Sequence, residues 1–157
     1  MTRIGKDGGD VSDADAVLVA VPGAAIAEVF DTVRGWEGKT VIDATNLIGD
    51  EPPGGFSSNA EFVKSKTNGP TAKSFNLNFA RLYDQLDEAK SRPSNIWSGD
   101  EEAGAVVEQL NRDAGYDPVY AGGLDKAAVQ EQGLSLIFAI SQASGPYFYR
   151  MAPPDEL

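Results

Sequence analysis

The sequence predicts an α/β fold in which a parallel β-sheet carries helices on both faces and is followed by a C-terminal helical segment. Two strand-like runs predict the sheet: AVLVAV at residues 16–21 and TVIDAT at residues 40–45. A segment with helical spacing lies between them. Continuous apolar strands that alternate with amphipathic helices are typical of a parallel sheet buried on both faces. The length of 157 residues fits a single domain.

The first half of the chain contains a lead-in and two strand–helix units. Residues 1–15 are mostly polar, and the GKDGG run at 5–9 has no strand before it and no helix after it, so it is not a phosphate loop. We expect a lead-in there and one domain over residues 16–157. After the first strand, four apolar residues are spaced as one face of a helix, and Gly35 is its stop signal. The four are Ile26, Val29, Phe30 and Val33.

The remaining elements follow in the same alternating order. Asp100 is a good N-cap for the helix that it precedes, because Glu101 and Glu102 then lie in the first turn. That helix is expected to end near Gly115, and the C-terminal helical part begins at about residue 124. The other predicted elements are a loop at 49–55, helices at 58–66, 77–86 and 124–143, and strands at 71–75, 94–97 and 116–120.

The composition excludes several kinds of chemistry and partner. The net charge of −11 disfavours nucleic acid, whose phosphates require a basic surface. The chain has no Cys and no His, which removes thiolate catalysis, Ser-His-Asp catalysis and histidine-ligated zinc. It has no long apolar stretch and no signal-peptide core, so we expect a cytoplasmic protein without a membrane partner. An oxidoreductase that only aligns two cofactors needs no acid or base of its own, and we assign no catalytic and no metal-binding residue.

The candidate site lies beyond the carboxyl ends of three strands, where open parallel sheets bind their ligands. The first end is small and apolar, which lets a flat ring or a phosphate approach the backbone. The second end offers polar groups for a carboxamide, and the third offers a lysine for an anion. The residues are Val21, Pro22, Gly23 and Ala24 at the first end, Thr45, Asn46 and Leu47 at the second, and Lys73, Ser74, Phe75 and Asn76 at the third.

Each strand end also has a purely structural interpretation. Gly23 would serve a tight strand-to-helix turn without a ligand, Asn46 would cap the turn that it belongs to, and Lys73 would be an ordinary exposed lysine.

At these strand ends the sequence resembles the NADPH-dependent coenzyme F-420 (deazaflavin) reductase family, also described as the F-420-dependent NADP oxidoreductases. The resemblance runs from about residue 10 to the end of the chain. The matching segments are DADAVLVAVP at 13–22, VIDATN at 41–46, KSFN at 73–76, GDEEA at 99–103 and DPVYAGGL at 117–124. The resemblance implies a Rossmann-like fold that binds NADP(H) and transfers hydride between NADPH and coenzyme F-420. It places the loops at 21–23 and 46–47 near the nicotinamide, and 74–76 near the hydride-transfer cleft.

One part of the family pattern is missing from this sequence. The pattern begins with a strand, a Gly-x-Gly-x-x-Gly turn and a helix that hold the pyrophosphate, and the sequence contains no such turn. A βαβ unit takes about 30 residues, which is more than precede Ala16. We therefore expect a truncated Rossmann-like domain that keeps the nicotinamide side of the site, lacks the phosphate side and is inactive alone.

Three functions fit these observations. The first is an NADP-dependent oxidoreductase domain, the second a non-catalytic α/β binding or assembly module, and the third a reductase of another small substrate, since a fold does not fix a function. Loss of the first βαβ unit would leave the apolar strand at 16–21 as an uncovered edge, and such edges pair with other chains. We therefore expect a homo-oligomer, with a dimer as its simplest form.

Overall fold

A computed structural model describes residues 9–155 of the chain, so residues 1–8, and with them most of the GKDGG run, lie outside the described residues. The strands are β1 (Ala16–Val19), β2 (Thr40–Asp43), β3 (Thr71–Lys73), β4 (Ser94–Gly99) and β5 (Asp117–Tyr120). The α-helices are α1 (Ile26–Thr32), α2 (Asn59–Thr67), α3 (Gly104–Asp113) and α4 (Ala127–Ser144). Short 3₁₀ helices lie at Gly23–Ala25, Pro53–Gly55, Ala80–Glu88, Glu101–Ala103 and Leu124–Lys126.

The strands form one five-stranded sheet in the order β1-β2-β3-β4-β5. β1 pairs with β2, β2 with β3, and β4 with β5 in parallel, whereas β3 and β4 are antiparallel. The predicted α/β fold with a C-terminal helix is therefore confirmed, and the sheet is mostly rather than entirely parallel. Because β4 reverses direction, the carboxyl ends of β1, β2 and β3 meet at one edge of the sheet, and those of β4 and β5 lie at the opposite edge.

Helices pack on both faces of this sheet, as predicted. One core cluster joins β1 and β2 to α1 and α2 through Ile26, Val41 and Val63. Phe30 and Trp36 extend that cluster, with their ring centroids 4.4 Å apart. A second cluster joins Ile42 and Ala72 of the sheet to Trp97, Ala103 and Val107, on the side of α3. The two clusters fix the sheet between its helical layers and so hold the strand ends in place.

Within residues 9–155, β1 forms the uncovered edge of the sheet that the sequence led us to expect. It is an edge strand in the part of the chain that the structure describes, and it ends at Val19 rather than at residue 21. Val19 is buried, whereas Leu18 is 50% exposed. The expectation of an uncovered apolar edge is confirmed for β1 among the described residues, whereas the expectation that its apolar run is buried on both faces fails at Leu18.

Two local predictions were also wrong. The segment predicted as an α-helix at 77–86 is a 3₁₀ helix, Ala80–Glu88. Asp100 does not cap the turn that follows it. Its Oδ2 instead accepts the backbone N–H of Thr71 at 2.8 Å and an N–H of Lys64 at 2.7 Å. Asp100 thereby ties the start of β3 to α2.

The end of the predicted lead-in is part of the packed structure. Val11 is buried in the first core cluster, and its backbone N–H donates to the carbonyl oxygen of Arg34 at 2.8 Å. Within residues 9–155 no helix is long and apolar enough to cross a membrane.

Candidate functional site

The loops after β1 and β2 lie in direct contact at the site edge of the sheet. A Cβ added to Gly23 would lie 2.2 Å from the backbone oxygen of Asn46, far inside van der Waals distance. Glycine is therefore required at this position by the neighbouring protein loop. The sequence interpretation, in which the missing side chain leaves room for a ligand, gives the wrong reason for this glycine.

Asn59, at the start of α2, fastens the same two loops together. Its Nδ2 donates to the carbonyl oxygen of Gly23 at 3.2 Å and to Oγ1 of Thr45 at 2.9 Å. The side chain is fully buried, and its Oδ1 has no hydrogen-bond partner in the described structure. α2 therefore positions the site and also leaves one buried acceptor beside it.

The loops after β2 and β3 are joined by a reciprocal pair of asparagines. Asn46 Nδ2 donates to the carbonyl oxygen of Asn76 at 2.8 Å, and Asn76 Nδ2 donates to Asn46 Oδ1 at 3.0 Å. Gln130 of α4 supports the pair, because its Nε2 donates to Asn76 Oδ1 at 2.7 Å. Phe75, which directly precedes Asn76, adopts a φ of 62°, a strained conformation for a bulky residue. Asn46 thus bridges two loops and does more than cap its own turn.

Lys73 is the centre of a buried ionic cluster. Its Nζ lies 2.8 Å from Asp43 Oδ2, 2.6 Å from Glu131 Oε1 and 2.8 Å from the carbonyl oxygen of Thr45. The side chains of Lys73 and Asp43 have no exposed surface. The alternative of an ordinary exposed lysine is therefore excluded, and Lys73 has no surface with which to meet an anion in this conformation.

Glu131 is the outermost member of that cluster. Its side chain is 9% exposed, and burial raises the pKa of its carboxyl group. The positive charge of Lys73 and the backbone N–H of Asn59 act in the opposite direction, whereas the negative charge of Asp43 raises the pKa further. The cluster contains one amine and two carboxyl groups, so a proton on Glu131 reduces its excess negative charge, which is favourable in a buried position.

The eleven predicted site residues divide into two groups by burial. Six present surface to solvent at the site edge: Val21, Pro22, Ala24, Asn46, Leu47 and Phe75. Five are buried behind them: Gly23, Thr45, Lys73, Ser74 and Asn76. The structure thus brings the three strand ends together, with one set of residues at the surface and the other buried behind it.

The surface set offers polar and apolar groups at the carboxyl ends of the three strands. A carboxamide needs both donors and acceptors. The backbone of these loops can supply them, together with the second N–H and second lone pair of the Asn46 amide, which already exchanges hydrogen bonds with Asn76. The pyrophosphate half finds no Gly-x-Gly-x-x-Gly turn in the 157 residues. Among residues 9–155, no group of three or more acidic side chains is placed to hold a metal ion.

Sequence reasoning missed four residues that build this site: Asp43, Asn59, Gln130 and Glu131. Two of the four could have been recognised in the sequence. Asp43 is a charged residue at the end of an otherwise uncharged strand, and Glu131 is the one charged residue in the 18 residues of α4. A single charged residue in an otherwise apolar strand or helix is either exposed to solvent or paired with an opposite charge. Lys73, already predicted as a site residue, could have been recognised as that opposite charge.

Comparison with known proteins shows the fold of the chain but does not assign it to a family. No family model and no curated protein matches the sequence. A solved structure from Arthrobacter sp., described as a candidate F-420-dependent NADP reductase, has a TM-score of 0.76 and 22% identity over 91% of this chain and 72% of its own. A hypothetical protein from Sinorhizobium meliloti has a TM-score of 0.59 and 28% identity over 90% of this chain and 64% of its own. The chain therefore has a Rossmann-like fold similar to that of an NADP oxidoreductase.

Proposed function

We propose that this chain is an NADP-dependent oxidoreductase domain that holds the nicotinamide of NADP(H) at the carboxyl ends of β1, β2 and β3. Hydride would pass between NADPH and a deazaflavin, coenzyme F-420, or a related small acceptor. The observation that carries the proposal is the convergence of three loops, locked by Asn59 and by the Asn46–Asn76 pair, at the edge where such sheets bind ligands. The structural similarity to the Arthrobacter protein supports the same cofactor.

The proposal includes weak cofactor binding by these 157 residues alone. Dinucleotide affinity depends strongly on backbone N–H groups that hold the pyrophosphate at a helix start. Loss of several charge-assisted hydrogen bonds, at about 1.5–3 kcal/mol each, changes a micromolar dissociation constant to about millimolar or weaker. The net charge of −11 further disfavours an anionic cofactor.

The experiment is calorimetry with NADPH on two proteins. The 157-residue chain should show no binding at micromolar concentration, and the same chain fused to a βαβ unit with the glycine-rich turn should bind and reduce F-420. In the fusion, Asn46→Ala should weaken binding by about 0.5–1.5 kcal/mol, the typical value of one hydrogen bond. Glu102→Gln, on the exposed turn before α3, is the matched control.

Two outcomes would contradict the proposal. Micromolar affinity in the unmodified chain would show that a glycine-rich turn is dispensable. A fusion that folds but neither binds NADPH nor transfers hydride would favour the alternative, a non-catalytic α/β binding or assembly module.

A further inference from the structure

A cavity of about 340 Å³ lies between the loop after β2 and α4, next to the candidate nicotinamide position. Its walls come from residues 47–49 on one side, and on the other from an α4 face that includes Leu134 and Phe138. This volume is at the lower end of the range for small-molecule sites. Glu131 is the one charged residue among its lining residues.

Glu131 reaches this wall from the buried ionic cluster behind it. The charged groups that face it are Lys73 from β3 and Asp43 from β2, while α2 contributes the uncharged Asn59 and the loop at 47–49 contributes no charge. Asp43 accepts two hydrogen bonds, from Lys73 Nζ at 2.8 Å and from the backbone N–H of Thr45 at 2.9 Å. A single ammonium thus faces two carboxylates, and Glu131 is the one that borders the cavity.

We propose that Glu131 is the proton donor of this site and protonates a hydride acceptor seated in the cavity. The proposal rests on the proposed function, since it requires hydride from NADPH. A hydride and its two electrons form a new C–H bond at an electron-poor ring carbon of the acceptor, and NADP⁺ is left. The electron pair displaced to a conjugated ring nitrogen takes the proton of the Glu131 carboxyl group. Glu131 becomes a carboxylate beside Lys73 and regains its proton from water.

This proposed role differs from the sequence-based expectation that the site needs no acid of its own. Burial raises the pKa of Glu131, so the carboxyl group keeps a proton at a pH where an exposed glutamate has lost it. Lys73 and Asp43 are positioning residues for Glu131. Lys73 also stabilises the carboxylate that remains after proton transfer, and so limits how strongly the acid holds its proton.

The first measurement is infrared spectroscopy of the 157-residue chain, which does not depend on cofactor binding. As pH rises, the carbonyl band of one protonated carboxyl group should persist after the exposed carboxyl groups have lost their protons, and this persistent band should disappear in Glu131→Gln and remain in Glu102→Gln. A wild-type chain in which no carboxyl band outlasts those of the exposed groups, or a persistent band in a folded Glu131→Gln variant, would overturn the proposal.

The second measurement is the rate at which the fusion with the glycine-rich unit reduces F-420, with NADPH at millimolar concentration. Glu131→Gln should lower the rate about 100-fold or more, the usual contribution of a general acid, and should abolish the fall in rate at high pH. Glu102→Gln should leave both unchanged. A Glu131→Gln variant with wild-type rate and pH profile would overturn the proton-donor role. If neither the wild-type chain nor the glycine-rich fusion reduces F-420, both the proposed function and the donor role are contradicted. The infrared band would still decide independently whether Glu131 holds a proton.

Discussion

At the scale of single residues, Gly23 is the contact point between two loops of the site. Gly23→Ala places a Cβ 2.2 Å from the Asn46 backbone oxygen, so one loop must move. We expect a loss of about 1–3 kcal/mol in the free energy of unfolding, the usual cost of overpacking. Urea denaturation measures it. Gly133→Ala is the control, because its Cβ would meet only Leu77 at 3.9 Å. Equal stability of the two variants would contradict the described loop contact.

Comparing Lys73 with Lys64 shows how much more a buried ion pair contributes to the free energy of unfolding than an exposed one. Lys73→Met leaves Asp43 and Glu131 without their cation in the interior, and we expect a loss of about 3–5 kcal/mol. Lys64→Met removes a lysine whose side chain is 41% exposed, and we expect a loss of at most about 1 kcal/mol. Both values come from chemical denaturation at neutral pH. A small effect of Lys73→Met would show that its side chain is not buried between two carboxylates.

The raised pKa of Glu131 makes stability depend on pH in a defined direction. An ordinary carboxyl group, as in the unfolded chain, has a pKa near 4.5, and burial raises the value in the folded chain. The folded state therefore binds more protons, so this contribution to stability is complete below about pH 4.5 and falls as pH rises through the folded pKa. Relative to Glu131→Gln, the wild-type chain should lose stability over that range in urea denaturation. A difference that is independent of pH would contradict the raised pKa.

At the scale of elements, the sequence was informative about strands and their ends and less informative about their neighbours. Apolar runs and polar residues after them predicted β2 and the loops that follow β2 and β3. The antiparallel direction of β4 depends on pairing, which local composition does not encode. The buried ionic cluster joins β2, β3 and α4 over long sequence separations, so only Lys73 was predicted as a site residue.

The exposed edge of β1 predicts association between chains. Leu18 is 50% exposed and Leu110 of α3 is 39% exposed, and both line a groove along this edge. Unpaired strand edges with apolar side chains pair readily with other chains. We expect light scattering at high concentration to show a species heavier than 16.6 kDa, and Leu18→Lys to shift it toward the monomer. A monomer at all concentrations would contradict this prediction.

At the scale of the whole molecule, the reversed direction of β4 places the carboxyl ends of β1, β2 and β3 opposite those of β4 and β5. The β1–β3 edge carries the candidate nicotinamide position, the buried cluster and the cavity beside α4. Another cavity lies near Trp97 and Tyr120, at the carboxyl ends of β4 and β5. A dinucleotide-binding domain should use the first edge and leave the second free.

The most direct test is an NMR titration of the backbone amides with NADPH up to millimolar concentration. We predict fast exchange, a dissociation constant of about 1 mM or weaker, and shifts concentrated in residues 21–24, 45–47 and 74–76. Shifts centred on Trp97 and Tyr120, or no shifts at all, would contradict the claim that this chain holds a nicotinamide at the carboxyl ends of β1, β2 and β3.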